Sequence, residues 1–162
     1  MDIKQFLRTL PTFEGAGEGE LEHFAQSVQV GTYPRGHQFN HAGEPGDGMY
    51  LLLEGDVRLT QLEGVPGEPA ETRDLHPGDM FGLLALVDEM PALTTGEALT
   101  PVRAAVLSHY AYQQLAGSAP DIARQLRYMI AIQLARDLQA RNRALRALLK
   151  RQAAAGTRPG RA

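Results

Sequence analysis

The 162-residue sequence contains no cysteine and no tryptophan. Without cysteine the chain can form no disulfide, no zinc–thiolate centre and no thiol nucleophile, and this composition fits a reducing cytoplasm. No run approaches the roughly 18 apolar residues that a membrane-spanning helix needs. The N-terminal residues also lack an apolar run of secretory length. These absences predict a cytoplasmic protein.

Acidic and basic residues are segregated along the chain. Residues 1–120 contain 6 Lys and Arg against 17 Asp and Glu, a balance of −11, whereas residues 121–162 contain 10 against 2, a balance of +8. Hydrophobic residues make up 43% and charged residues 22%, which is close to the average for globular domains. The sequence therefore predicts a folded chain with an acidic body and a basic C-terminal segment.

The apolar periodicity divides the chain into three parts. Residues 1–26 contain two short helical patterns, and residues 27–108 alternate β-prone runs with Gly, Pro and Asp clusters, which is typical of an all-β sandwich or barrel. Within this part, residues 49–60 alternate with period two, and Gly55 allows a kink. From Pro120 the pattern is helical. We predict a β domain with N-terminal helices over 1–119, a long helix over 120–155 and a disordered tail over 156–162.

Two glycine-containing stretches give a more specific signal. Residues 43–57 read GEPGDGMYLLLEGDV, and residues 75–86 read LHPGDMFGLLAL, followed by MPA at 90–92. At these residues the sequence resembles the cyclic nucleotide-binding domain family, the sensor module of catabolite-activator-type regulators, kinase regulatory subunits and some ion channels. The resemblance covers residues 5–150. It implies a mainly β fold with flanking helices: an eight-stranded β jelly roll, short N-terminal helices and a long C-terminal helix.

The resemblance also implies where a ligand would bind. In the family, a short helix and loop after the Phe-Gly step surround the cyclic phosphate, a glutamate binds the ribose and an arginine binds the phosphate. Here the glutamate position is Leu83, the arginine position is Ala92, and the small or hydroxylated residue after it is Leu93, although Gly82 and Pro91 are retained. The predicted pocket positions are Phe81, Gly82, Leu83, Leu84, Ala85, Pro91, Ala92, Leu93, Thr94 and Thr95.

Loss of both polar side chains predicts weak or absent binding of cAMP and cGMP, and therefore no cofactor. Each hydrogen bond to a charged group contributes about 1.5–3 kcal/mol, so the two losses together are large. The pocket is then either collapsed around its apolar side chains or adapted to a less polar ligand. Thr94 and Thr95 are candidates to bind such a ligand, but strand propensity explains two threonines equally well.

The predicted C-terminal helix is too long for one side of a small β domain to cover. In the family the equivalent helix pairs with its symmetry mate, so the resemblance implies a homodimer. Arg141 and Asn142, which interrupt the predicted apolar dimer stripe, would weaken the pairing or set its register. Only 12 residues follow Lys150, so we expect no winged helix–turn–helix domain, which needs on the order of 60 residues, and no sequence-specific DNA binding. The predicted dimer residues are Leu126, Ile130, Leu134, Leu138, Leu145 and Leu149.

Two further features allow other functions. His37, His41, Glu44 and His76 are metal-ligating residue types, but their spacing differs from that of cupin-like metalloenzymes, so we expect surface histidines and no metal site. The basic residues after Asp137 are compatible with contact to nucleic acid or an anionic membrane. They lack the interleaved aromatics that stack on bases, and a solvated helix face explains them better.

The residues taken together favour a non-catalytic regulatory module that acts by dimerisation and by binding an unidentified protein partner. No nucleophile–base–acid constellation and no phosphate-binding Gly-Lys-Ser/Thr loop is present, so an enzyme is not expected. The alternative is a receptor for a cyclic nucleotide or another small ligand that signals through the long helix. A cupin-like metalloenzyme is the least favoured interpretation.

Overall fold

The computed structural model describes residues 2–61, 67–87 and 90–156. The helices are α1 Ile3–Arg8, α2 Glu18–Ser27, α3 His109–Ser118 and α4 Pro120–Gly156, with 3-10 turns at Pro11–Phe13 and Leu83–Leu86. The strands are β1 Gln29–Tyr33, β2 Gln38–Asn40, β3 Gly48–Glu54, β4 Val57–Gln61, β5 Thr72–Leu75, β6 Met80–Phe81, β7 Thr94–Ala98 and β8 Val102–Ser108. This order confirms the predicted mainly β fold with flanking helices and a long C-terminal helix.

The strands form two four-stranded antiparallel sheets. The first has the order β1-β8-β3-β6, and the second has the order β2-β7-β4-β5. In the first sheet Tyr50 of β3 lies opposite both Val106 of β8 and Phe81 of β6. In the second sheet Val57 of β4 lies opposite Leu75 of β5 and Ala98 of β7. Residues of the first sheet contribute to two apolar cores, so this sheet lies between the second sheet on one face and the helices on the other.

The strand β3 is buried on both faces, which explains its nearly continuous apolar sequence. Met49, Leu51 and Leu53 pack in the core shared with the helices, whereas Tyr50 and Leu52 pack in the core between the sheets. A strand covered on both faces needs no polar alternation. The predicted period-two pattern therefore separates two apolar cores in β3, and only in β4 does it separate a buried face from a more exposed one.

The predicted kink at Gly55 is the turn between β3 and β4. Gly55 has φ of +86°, and a Cβ at this position would collide with the carbonyl oxygen of Pro101. Only glycine meets both conditions without strain.

The helix α4 contains 37 residues and is therefore about 55 Å long. Its first turns pack Ile122, Leu126 and Ile130 into the same core as α2 and α3. The boundary predicted at 119/120 thus coincides with the start of α4, but it does not separate two cores. Gly156 belongs to α4, and the rest of the predicted tail, residues 157–162, lies outside the described residues. Within the described ranges, no helix has the length and apolar character to cross a membrane.

Candidate functional site

A cavity of about 350 Å³ lies at the predicted pocket. The sequence left open whether this pocket is collapsed, and the structure leaves space there. Of the ten predicted pocket positions, all but Pro91 and Thr95 line the cavity. The lining positions from the prediction are Phe81, Gly82, Leu83, Leu84, Ala85, Ala92, Leu93 and Thr94.

The first part of the cavity wall is the 3-10 turn Leu83–Leu86, called here the cassette turn. Gly82 precedes it with φ of +73°, and a Cβ on Gly82 would lie 2.8 Å from the carbonyl oxygen of Gly48. The turn closes where the N–H of Ala85 donates to the carbonyl oxygen of Gly82 at 3.0 Å. Leu83 and Leu84 are only 7% and 6% exposed. The positions that start this turn therefore present apolar side chains to the cavity, and Leu83 also packs in the helix-side core.

The second part of the wall is the segment that leads into β7. The backbone of Ala92 is fixed by two hydrogen bonds: its carbonyl oxygen accepts from the N–H of Gly43 at 2.7 Å, and its N–H donates to the carbonyl oxygen of Glu44 at 2.9 Å. Pro91 forms an isolated antiparallel bridge with Pro45 and does not line the cavity. Position 92 is thus held rigidly while its side chain, a methyl group, faces the cavity.

The two threonines of β7 have different environments. Thr94 lines the cavity, whereas the hydroxyl of Thr95 accepts a hydrogen bond from the N–H of Ala42 at 3.0 Å. Asn40 also lines the cavity, and its Oδ1 accepts from the N–H of Gly96 at 2.8 Å. Asn40 was not predicted as a site residue.

The remaining lining comes from elements that sequence reasoning did not assign to the site. The β4–β5 hairpin and α4 both border the cavity, and they bring its charged groups. The residues are Leu59, Gln61, Glu71, Thr72 and Arg73 from the hairpin, and Gln133, Arg136, Asp137, Gln139, Ala140 and Arg143 from α4. Among the described residues none of the three arginines has a carboxylate partner.

Asp137 is the buried charged residue of this wall, with 8% of its surface exposed. The side-chain N–H of Gln133 donates to its Oδ1 at 2.9 Å. Burial raises the pKa of Asp137 above its ordinary value, and this effect outweighs the Gln133 hydrogen bond and the charge of Arg141, which both lower the pKa. A sequence signal was present, because Asp137 is the only acidic residue after Asp121.

The predicted dimer residues do not all share one face of α4. Leu126 and Ile130 are buried in the core of the protomer, and Leu134 packs against that core, so these three are corrected to body-facing residues. Each step of four residues turns about 40° around the helix, because a helix has 3.6 residues per turn. From 126 to 138 the predicted stripe therefore rotates by about 120°, from the body onto the solvent side.

The opposite face of α4 forms an exposed stripe whose spacing alternates between three and four residues. Its large apolar members Leu138, Leu145 and Leu149 are 60%, 54% and 54% exposed. This alternation is the a/d repeat of a coiled coil, with Asn142 at an a position. We call this stripe the seam; it consists of Tyr128, Ala131, Ala135, Leu138, Asn142, Leu145 and Leu149, all exposed.

The histidines considered for a metal site lie apart. The ring of His37 packs on Tyr33 at 4.7 Å between centroids, and His41 is exposed. His76 Nδ1 lies 2.8 Å from Asp56 Oδ1, and this hydrogen bond, with the nearby charge of Asp56, raises the pKa of His76. In the part of the chain that the structure describes, no three His, Asp or Glu side chains are grouped so that they could hold one metal ion.

Comparison with known proteins places this geometry in a family. The profile of the cyclic nucleotide-binding domain matches residues 30–118. The CRP-like cAMP-activated global transcriptional regulator of Mycobacterium tuberculosis is 28% identical over 134 residues, which is 83% of this chain and 59% of that protein. The cAMP-dependent protein kinase regulatory subunit of Neurospora crassa is 29% identical over 128 residues, 79% of this chain and 32% of that protein.

Among solved structures, the catabolite activator protein of Thermus thermophilus superposes with a TM-score of 0.69 at 28% identity. The match covers 80% of this chain and 61% of that one. The chain thus spans about three-fifths of the length of the transcriptional regulators it matches. These relatives are regulators rather than enzymes. The family profile covers more than half of the chain, and the two-sheet fold agrees with it, so the chain belongs to the cyclic nucleotide-binding domain family.

Proposed function

We propose that this chain is a non-catalytic regulatory module that dimerises through α4, acts on a protein partner and binds cAMP and cGMP weakly or not at all. The observation that carries the proposal is the apolar character of the cavity at Leu83 and Ala92. The relatives support the regulatory role, since they include a transcriptional regulator and a kinase regulatory subunit.

The magnitude of the loss supports weak nucleotide binding. Two absent hydrogen bonds to charged groups amount to about 3–6 kcal/mol, or roughly 10² to 10⁴ in affinity. Leu83 is almost fully buried, and the short side chain of Ala92 carries no polar group. A cavity with this lining gives a ribose hydroxyl and a ring phosphate no polar side chain at the two family positions.

The seam supports dimerisation. It lies on the side of α4 opposite the residues that pack on the body, so a second copy could approach without disturbing the protomer's own core. An asparagine at a single a position of a coiled coil favours one register and a two-stranded assembly at some cost in stability. Because Asn142 occupies such a position, the seam favours a parallel pair with the two copies of Asn142 at the same level.

Calorimetry on the full chain tests the ligand part of the proposal. We expect cAMP and cGMP to give dissociation constants near the millimolar range, since micromolar affinity falls by the factor given above. A dissociation constant below about 10 µM for either nucleotide would contradict the proposal.

Light scattering tests the dimer, using two exposed substitutions in α4. The wild type should have twice the 17.6 kDa mass of the chain at micromolar concentration. Leu145→Asp places a carboxylate on the seam and should give the single-chain mass. Lys150→Asp, off the seam, is the matched control and should leave the dimer intact. A single-chain mass for the wild type, or an equal effect of both substitutions, would contradict dimerisation through the seam.

A second candidate function is a receptor for a less polar ligand that signals through α4. The specific observation in its favour is the 350 Å³ cavity, whose size lies within the range of small-molecule sites. Because α4 supplies part of the cavity lining and also carries the seam, an occupied cavity could change the position of the helix.

A further inference from the structure

The charges around the cavity are unusual for the acidic body of this chain. Among the described residues before 120, the lysine and arginine side chains that pair with carboxylates are Lys4, Arg8, Arg58 and Arg103. Arg73 has no such partner in the described chain, and its side chain borders the cavity. The body therefore leaves one of its few cations uncompensated at this place.

Two more cations reach the same cavity from α4. Arg136 and Arg143 are exposed, and neither pairs with a carboxylate in the described part of the chain. They are seven residues apart, which is about two turns or 10.5 Å along the axis, so they lie on the same side of the helix. Gln139 and Ala140, which lie between them in sequence, also line the cavity. The cations thus border a continuous stretch of the cavity lining.

The large apolar lining residues come from other elements. The cassette turn and the segment before β7 contribute three leucines, Leu83, Leu84 and Leu93, together with Ala92, and β4 contributes Leu59. The cavity is therefore amphipathic: its free cations come from β5 and α4, and its apolar surface comes from β4, the cassette turn and residues 92–93.

We propose that this cavity binds an organic monoanion with an aliphatic body, a medium-chain carboxylate, whose head group is held by Arg136 and Arg143 with Arg73. The aliphatic chain lies against Leu83, Leu84 and Leu93. This inference rests on the second proposed function, the receptor for a less polar ligand. The proposed site differs from the nucleotide site of the family, because arginines of β5 and α4 bind the anion and no side chain at position 92 does so.

The charge balance of the lining favours a ligand whose head group carries a single negative charge. Three arginines face two acids, Glu71 and Asp137, so the lining carries one net positive charge when both acids are ionised. A phosphate monoester brings up to two negative charges close to these acids, whereas a carboxylate brings one. Arginine guanidinium groups bind carboxylates in a two-pronged geometry, which suits this head group.

Calorimetry of the full chain with three ten-carbon probes tests the head group. Decanoate carries one charge, decanol none, and decyl phosphate up to two; each is used below its micelle concentration. We expect one decanoate per chain, with decanol and decyl phosphate each binding about tenfold to a hundredfold more weakly, as a charge-assisted hydrogen bond predicts. Equal affinity for decanoate and decanol, tighter binding of decyl phosphate, or no binding of decanoate would overturn the proposal.

Paired substitutions in α4 test the arginines. Arg136→Gln with Arg143→Gln should weaken decanoate at least about tenfold and leave decanol unchanged. Arg146→Gln with Lys150→Gln removes the same charge from the same helix outside the cavity lining and should leave decanoate binding unchanged. An equal loss in both variants would indicate a general charge effect and overturn the assignment.

Light scattering on the same samples distinguishes failure of the carboxylate site from failure of the proposed regulatory function. If decanoate fails to bind while the chain remains dimeric and nucleotide binding remains weak, the carboxylate site is wrong and the regulatory module stands. If a cyclic nucleotide binds below about 10 µM, the proposed function fails whatever decanoate does.

Discussion

Two substitutions should restore cyclic nucleotide binding if the cavity lacks only its polar side chains. The change is Leu83→Glu combined with Ala92→Arg, which places the two residue types of the family at their positions. Gly82 already sets the backbone of the cassette turn, and two backbone hydrogen bonds hold position 92. The cavity volume of about 350 Å³ leaves space for a ligand.

The expected gain follows from the groups added. Two hydrogen bonds to charged groups amount to about 3–6 kcal/mol, so cAMP affinity should rise about 10² to 10⁴-fold over the wild type. The substitution also has a cost, because Leu83 packs in the helix-side core and its removal destabilises the fold by about 2–5 kcal/mol. Circular dichroism in urea must therefore confirm that the variant is folded before its affinity is interpreted.

Calorimetry with cAMP measures the gain, and an uncharged pair of similar size serves as the control. Leu83→Gln with Ala92→Met fills the same space without charges and should gain less than about tenfold. Each single charged substitution should give part of the gain. A folded double variant whose affinity equals that of the wild type would refute the reasoning, since it would mean that the cavity cannot accept the nucleotide at all.

Two further predictions concern stability. Gly82→Ala should lower the free energy of unfolding by about 1–3 kcal/mol, because Gly82 has φ of +73° and the added Cβ would meet the carbonyl oxygen of Gly48. Gly117→Ala is the control and should not lower the free energy of unfolding, because residue 117 lies in a helix and its added Cβ meets no atom. Equal urea midpoints for the two variants would contradict this prediction. Asp137→Asn should raise the melting temperature more at pH 7 than near pH 3. Because burial raises the pKa of Asp137, its contribution to stability is present at low pH and is lost as the pH rises through the folded-state pKa. An equal difference in melting temperature at both pH values would contradict this prediction.

The fold was accessible from the sequence because turns and apolar patterns are local signals. The glycine at 55 and the Gly-Asp turn before β6 mark strand ends, and Pro120 marks the start of α4. The apolar run of β3 is compatible with burial on both faces, but it does not say which elements cover each face. A strand covered on both faces and a strand covered on one face differ in their neighbours, and those neighbours are distant in sequence.

The candidate site was predictable only where one short stretch builds it. Residues 81–85 and 92–94 are close in sequence and form two parts of the wall, and most of the predicted positions do line the cavity. Arg73 and Arg143 are brought to that wall by the β4–β5 hairpin and by the path of a 37-residue helix, neither of which leaves a local signal. The predicted dimer residues combined body-facing and solvent-facing positions, because apolar residues spaced by four rotate gradually around a helix.

A single cysteine on the seam tests the central claim, that α4 pairs with a second copy on the side opposite the body. The chain has no cysteine, so Asn142→Cys introduces the only thiol. In a parallel pair in register the two thiols face each other within the Cα separation of about 4.4–6.8 Å that a disulfide allows. Lys150→Cys is the control, because residue 150 points about 100° away from Leu149 around the helix. Under mild oxidation we predict a reducible band at twice the 17.6 kDa chain mass for Asn142→Cys and little for Lys150→Cys; no cross-link at 142, or equal cross-linking at both positions, would contradict the account.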